Sequence, residues 1–221
     1  MLTQAKTIQK VTQSGAKRHL DQLVVEKETQ VFLNDGFITT VFHTSQLEKE
    51  MGVGCLFSFN KIGFVVDSVS YANHEVRINA LETVLDPIKH DRYMKPVASS
   101  IFQLTAYFQE AAMLYKKTAV TESAAIGDAK QLLCTAEDMN QSNALYKVLG
   151  AYLLTYKSDL KGKSLLLSSC VTLDLMSIIV RCGFSLVITR TAPTHQALDM
   201  AQAYGVSIVG FARGRKYNWY Y

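Results

Sequence analysis

Three short segments of this chain hold side chains whose types and positions could do chemistry. They are Ser168-Ser169-Cys170, Thr189-Arg190-Thr191 and Gly210-Phe211-Ala212-Arg213-Gly214-Arg215-Lys216. Each lies at or just beyond the end of an apolar run that reads as a strand, where backbone amides come free. In the third, Gly214 permits close approach, the arginines offer bidentate recognition of phosphate, and Lys216 adds a point charge. A solvated basic terminus explains the same residues equally well. Cys170 sits ahead of a helix expected from about Leu173, whose dipole would favour a nucleophilic thiol. Ser168 and Ser169 could hydrogen-bond a substrate beside it. A small residue at a tight strand–helix junction is the competing reading of Cys170.

Other chemistries are disfavoured by spacing. The five histidines (His19, His43, His74, His90, His195) stand in separate segments, and none is paired with cysteine at metal-ligand spacing. No directly bound metal is expected. The four cysteines (Cys55, Cys134, Cys170, Cys182) include no Cys-x-x-Cys pair, and all but Cys170 read as core thiols. Adjacent Glu137 and Asp138 cannot converge as a catalytic carboxylate pair, and read instead as acids at a helix N-terminus capped by Asn140 or Ser142.

Composition sets wider bounds. The 221 residues are 48% hydrophobic and 19% charged, which suits one sizeable domain or two small lobes. The net charge of +4 is mild, and its densest cluster is Arg213, Arg215 and Lys216. Nucleic-acid binders usually concentrate such charge in larger clusters, and on charge alone a nucleotide or polyphosphate is about as well supported as DNA or RNA. The partner expected is a nucleotide, not nucleic acid. Residues 1–20 do not resemble a signal peptide, and no uncharged apolar run of about 18 residues could span a bilayer. The expected setting is a reducing cytoplasm, with no membrane partner.

The elements that must position these residues follow from periodicity. Residues 1–20 are polar without a clear period and read as a loosely held arm. Leu23–Val25, Val31–Leu33 and Phe37–Phe42 read as strands, with a hairpin turn at Asn34-Asp35-Gly36. A helix over Gln46–Ser58, capped by Thr44 or Ser45, carries Gly52 and Gly54, which point to close packing on a neighbour. Ile62–Val66 and Glu75–Ala80 complete a small α+β lobe. Residues 83–98 hold two of the three prolines and no apolar period, so they read as a linker closing the segment 21–98. From 99 onward the pattern changes. A helix over Ser99–Lys117 is followed by paired strands at Glu122–Ile126 and Gln131–Cys134. Then come alternating elements: helix Asn143–Tyr156, strand Ser164–Ser169, helix Leu173–Arg181, strand Ser185–Thr189, helix Pro193–Tyr204 and strand Val206–Phe211. Apolar strands alternating with helices mean an α/β domain (99–221) with its sheet covered on both faces. Ligands of such sheets collect at the carboxyl ends of the strands, where the three segments lie. The aromatic close, Tyr217 to Tyr221, is too apolar for a free tail.

Five blocks, taken in order, resemble the formate dehydrogenase accessory protein family (FdhD). EDMNQSNALYKVLG, Glu137 to Gly150, is similar to that family's EDVGRHNALDKVIG phrase. TAPTHQALDMAQAYGVSIVGFARGRKYN, Thr191 to Asn218, is similar to its SAPT-led helix and terminal strand. TAVTESAA, Thr118 to Ala125, is similar to its TGGxHAAA phrase. Phe32 to Gly36 and VGCLFS, Val53 to Ser58, are similar to its first-lobe hairpin and helix.

The resemblance implies a cytidine-deaminase-like α/β core with a smaller N-terminal lobe, as a homodimer. It implies a role in sulfuration or delivery of the molybdenum cofactor, the bis(molybdopterin guanine dinucleotide) form. Its implied partners are a cysteine desulfurase and formate dehydrogenase. It further implies that Phe211, Ala212, Arg213, Gly214, Arg215 and Lys216, with Ser168, Ser169 and Arg190 nearby, bind the cofactor's guanine-nucleotide end or GDP. The departures are specific. The family's Cys-x-x-Cys loop is matched only by the cysteine-free stretch 83–98. Asn140-Gln141-Ser142 stand for a Gly-Arg-His, Glu122 for a histidine and Cys170 for an arginine. The expectation is therefore a nucleotide-binding accessory protein without its own persulfide-carrying cysteine pair. Cys170 is the remaining catalytic candidate, and a non-catalytic interaction module on the same fold is the alternative.

Overall fold

Residues 1–20, expected as a loose arm, instead build most of a two-stranded ribbon. β1 (Thr3–Thr12) and β2 (Gly15–Val24) pair antiparallel over ten rungs, turning at Gln13-Ser14 with Gly15 at φ 125°. The computed structural model describes residues 1–221, apart from the side chains of Ile62 and Phe64. β3 (Glu26–Leu33) and β4 (Gly36–Thr44) form the expected hairpin. Asn34 and Asp35 both take positive φ, 48° and 64°, as a two-residue turn between twisted strands requires. β3 also pairs in parallel with a later strand, β6 (Glu75–Glu82), which pairs in turn with β5 (Ile62–Ala72). The resulting four-stranded sheet has the order β4-β3-β6-β5.

Between β4 and β5 runs α1 (Glu48–Cys55), followed by a 3₁₀ turn at Leu56–Phe59. Neither Thr44 nor Ser45 caps this helix. Leu47 holds the N-cap position in a left-handed conformation, and Thr44 is drawn into a buried network described below. The glycines do mark close packing. A Cβ at Gly54 would fall on the backbone of Tyr146, 2.7 Å from its Cα, and one at Gly52 would meet Val76.

The linker 83–98 is docked rather than free. Ile88 N–H donates to Val180 O and His90 N–H to Tyr204 O, carbonyls in the last turns of two helices. The helix expected over 99–117 is broken into α2 (Ala98–Ala111) and α3 (Met113–Thr118). The break at Ala112 has no glycine or proline. Its cause lies elsewhere: both Glu137 carboxylate oxygens accept, from Leu114 N–H and Tyr115 N–H at 2.7 Å each. Glu137 thus caps α3, not the helix that follows it in sequence.

The remaining elements are β7 (Glu122–Gly127), β8 (Leu132–Asp138), α4 (Gln141–Tyr156), β9 (Ser164–Leu167), α5 (Leu173–Cys182), β10 (Leu186–Thr189), α6 (His195–Tyr204), β11 (Ser207–Arg213) and β12 (Lys216–Tyr220). They form a six-stranded sheet in the order β12-β11-β10-β9-β7-β8, with β9, β10 and β11 parallel. Gly183 and Gly205, at φ 80° and 70°, end α5 and α6 as expected. The aromatic close is an edge strand, β12, paired antiparallel with β11.

Burial follows the period of two. Ile126, Leu165, Leu167, Val187 and Ile208 face one core with α4, α5 and α6, and that core continues through α1 into the four-stranded sheet. Ala125, Leu166, Leu186, Ile188 and Val209 face the other way, against Ile101, Leu104 and Phe108 of α2. Both faces of the sheet are covered, as its apolar strands required.

Candidate functional site

The carboxyl ends of β9, β10 and β11 lie side by side, and the three chemistry-bearing segments begin there. β7 runs antiparallel to β9, so its first residues join the same end of the sheet. Between them and the α2–α3 break opens a cavity of about 270 Å³. Ser168, Arg190 and Arg213 line it, together with Gln109, Tyr115, Thr121 and Glu122. Arg213 Nε donates to the Arg190 carbonyl at 3.1 Å, which holds the two arginines together. Arg190 Nε is buried and has no hydrogen-bond partner in the protein. Ser168 is committed: its hydroxyl donates to Glu122 Oε2 and accepts from Ser123 N–H at 2.8 Å. The site thus offers two guanidinium groups and one carboxylate, with no ion pair joining them among the described residues.

The other sequence candidates are placed differently. Gly210 begins a bulge in β11, and Phe211, at φ 54°, turns out to 44% exposure. Ala212 then turns inward and is core, packed with the α2 cluster. Gly214, at φ 60°, makes the exposed β11–β12 turn that carries Arg215 and Lys216. Ser169 Oγ is buried without a partner, and its carbonyl accepts from Thr189 Oγ1 at 2.6 Å. Cys170 is exposed and lies outside the residues that line the cavity. Its carbonyl accepts from Gln141 Nε2, which ties it to the start of α4. Burial pushes the Cys55 thiol up to about 12 and also raises Cys134 and Cys182, so these three hold little thiolate at neutral pH. Among the described residues no group of histidine, cysteine and carboxylate side chains could hold a metal ion.

Sequence reasoning missed Gln109 and Tyr115, which the fold brings in from the broken helix, and named Glu122, on the antiparallel strand, only as a departure from the family's histidine. It also missed a second cavity of about 440 Å³ that shares Phe108, Ala112 and Ser123 with the first. Its walls are largely apolar, with Leu47, Met113, Leu114 and Ala136 among them.

Beneath this end of the molecule lies a buried polar network joining the two sheets. Lys147 and Asp138, both 0% exposed, form an ion pair at 2.7 Å. Lys147 Nζ also donates to the Thr44 carbonyl at 2.9 Å and to Thr44 Oγ1 at 2.8 Å. Asp138 Oδ2 accepts from Thr44 N–H and Thr44 Oγ1, while Oδ1 accepts from Asn140 N–H and Asn143 Nδ2. Asp138 is therefore an interior counter-ion, not the helix-dipole acid expected from its neighbours. Burial pushes the Lys147 ammonium below its usual range, and Asp138 pulls it back.

His43 extends the network. Its Nδ1–H donates to the Thr44 carbonyl at 2.7 Å, so the neutral ring accepts from Thr29 Oγ1 at Nε2, 2.8 Å away. Burial holds its pKa below the ordinary histidine value. The unfolded chain then binds a proton that the folded protein resists. Stability contributed by the neutral ring is complete above about pH 6.5, the unfolded value, and is lost as pH falls through the lower folded value. Urea midpoints of the native protein should fall from pH 7.5 to pH 5 more steeply than those of His43→Gln. Parallel slopes would show that the ring titrates alike in both states.

Residues 67–221 match the FdhD/NarQ family. The sulfur carrier protein FdhD of Bacillus pumilus (strain SAFR-032) is 32% identical over 123 residues, which cover 56% of this chain and 47% of that protein. That of Shouchella clausii (strain KSM-K16) is 33% identical over 129 residues, covering 58% and 48%. The matched stretch thus spans about half the length of these curated relatives. The crystal structure of a presumed formate dehydrogenase accessory protein from Desulfotalea psychrophila aligns with a TM-score of 0.87. It covers 100% of this chain and 97% of its own at 19% identity, so the two share a fold.

Proposed function

The chain belongs to the FdhD/NarQ family, and on that footing we propose that it is a formate dehydrogenase accessory protein binding the guanine-nucleotide end of the molybdenum cofactor. The observation that carries this reading is the pair Arg190 and Arg213 at the carboxyl ends of parallel strands. The buried Arg190 Nε has no protein acceptor, and a buried donor left unpaired costs about 1–3 kcal/mol. A phosphate oxygen satisfies it. Glu122 sits in the same cavity, where a carboxylate repels phosphate but accepts from the donor N–H groups of a guanine edge. The adjoining apolar cavity gives room for the rest of a dinucleotide.

Within this reading the protein works in a reducing cytoplasm with a cysteine desulfurase and formate dehydrogenase, and delivers or presents the cofactor. The stretch 83–98, where a sulfur-carrying cysteine pair would stand, has none. Cys170 is the one exposed thiol.

Calorimetry with GDP tests the site. Arg190→Ala or Arg213→Ala should each weaken binding by about 1.5–3 kcal/mol, the range for a hydrogen bond to a charged group. Absence of binding by the folded native protein at about 1 mM GDP, equivalent to roughly −4 kcal/mol, would sink the reading. Unchanged affinity in both variants would move the site elsewhere.

A further inference from the structure

The β1–β2 ribbon has no role in the cavity chemistry, and its construction is costly without a partner. Its first rung is anchored: Lys117 Nζ donates to Thr3 Oγ1, and Val25 N–H donates to the Leu2 carbonyl. Beyond that, Lys6 to Leu20 are exposed without interruption. A two-stranded ribbon is marginal in water, and both edges here present unpaired N–H and C=O groups.

Its two faces differ. Ala5, Val11, Ala16 and Leu20 share one face, with Val11 73% and Leu20 61% exposed. Lys6, Lys10, Lys17 and His19 share the other with Ile8, Asp21 and Leu23. Lys10 and Lys17 stand directly opposite each other on one rung, an arrangement of like charges that destabilises the ribbon, while Arg18 points to the other face, between Ala16 and Leu20. Lys6, Lys10, Lys17 and Arg18 against Asp21 alone give this ribbon three of the chain's four net positive charges.

We propose that the ribbon is a docking element for an acidic protein partner, which adds a strand to one open edge and covers the apolar face. Acidic side chains of that strand lie beside the Lys10–Lys17 rung and relieve its repulsion. Three features select this partner. A strand edge recognises polypeptide backbone, which nucleic acid lacks. A bilayer that took up Val11 and Leu20 would leave the lysines on the opposite face, away from its headgroups. A second copy of this chain is a poor complement, since outside the ribbon the net charge is only +1.

Hydrogen exchange on the full chain tests this with a defined probe, a short peptide of alternating valine and glutamate. The expected result is slowed exchange at one ribbon edge, weakened by salt and absent with a valine–lysine peptide. The triple variant Lys10→Glu, Lys17→Glu, Arg18→Glu should bind the acidic peptide about ten-fold more weakly or worse, and gain binding of the lysine peptide. Because these side chains are exposed and outside the cavity, GDP binding by the variant serves as a check on folding and separates this proposal from the nucleotide reading. Protection by duplex DNA or anionic vesicles but not by the acidic peptide overturns the proposal. So does ribbon protection that depends only on the chain's own concentration, or no protection with any probe.

Discussion

Lys147→Ala is expected to destabilise the protein by about 3–5 kcal/mol, because it leaves the Asp138 carboxylate in the interior without a counter-charge. The pair sits at 2.7 Å with neither side chain exposed, so water cannot take the place of the missing ammonium. The loss spreads beyond the pair. Lys147 also donates to the carbonyl and hydroxyl of Thr44, on the last residue of β4, so the join between the two sheets loosens with it. Urea unfolding followed by far-UV circular dichroism measures the effect. A double variant, Lys147→Met with Asp138→Leu, should be less destabilised than Lys147→Ala, since it removes the stranded charge while keeping volume. A loss below about 1 kcal/mol for Lys147→Ala would mean that the pair is solvated.

Gly150→Ala is expected to cost about 3 kcal/mol or more, against the usual gain of about 1 kcal/mol when alanine replaces glycine within an exposed helix. The reversal comes from the crossing of α1 and α4. A Cβ at Gly150 would fall on the Glu50 carbonyl and lie 2.7 Å from the Glu50 Cα, and backbone cannot swing aside as a side chain does. Gly54 makes the reciprocal approach to Tyr146 from the other helix. The two helices therefore touch backbone to backbone, and one methyl group must push them apart along the whole contact. Thermal or chemical denaturation reads the result directly. A stabilised Gly150→Ala protein would show that the helices lie farther apart than described.

What was legible in the sequence was local. The Asn34-Asp35-Gly36 turn, the apolar strands and the glycine stops of α5 and α6 all carry their causes within a few residues. The rule that ligands gather at strand ends also brought Ser168, Arg190 and Arg213 to one cavity without any knowledge of the cavity itself. What was missed depends on partners far along the chain. The helix break at Ala112 is held by Glu137, more than twenty residues later in sequence. A lysine on a helix reads as solvent-facing, and nothing near Lys147 announces that Thr44 will meet it. The ribbon was missed for a different reason. Both its faces are open to solvent and each mixes apolar with basic side chains, Ile8 beside Lys6 and Lys10 on one and Arg18 beside Leu20 on the other, so no buried face gives its strands a period. That Phe211 turns outward and Ala212 inward was not legible either, because a bulge, invisible to a simple alternation, intervenes after Gly210.

The reciprocal glycine contacts and the Thr44–Lys147 bonds also govern how the chain emerges during synthesis. α1 leaves the ribosome about a hundred residues before α4 can cover it. At roughly 5–20 residues per second that interval lasts about 5–20 s. Throughout it, the α1 residues that meet α4, Glu50 and Gly54, lack their helical neighbour, and Thr44 lacks its ions. The nascent N-terminal half is thus a natural client for a holdase chaperone, released when residue 150 clears the exit tunnel.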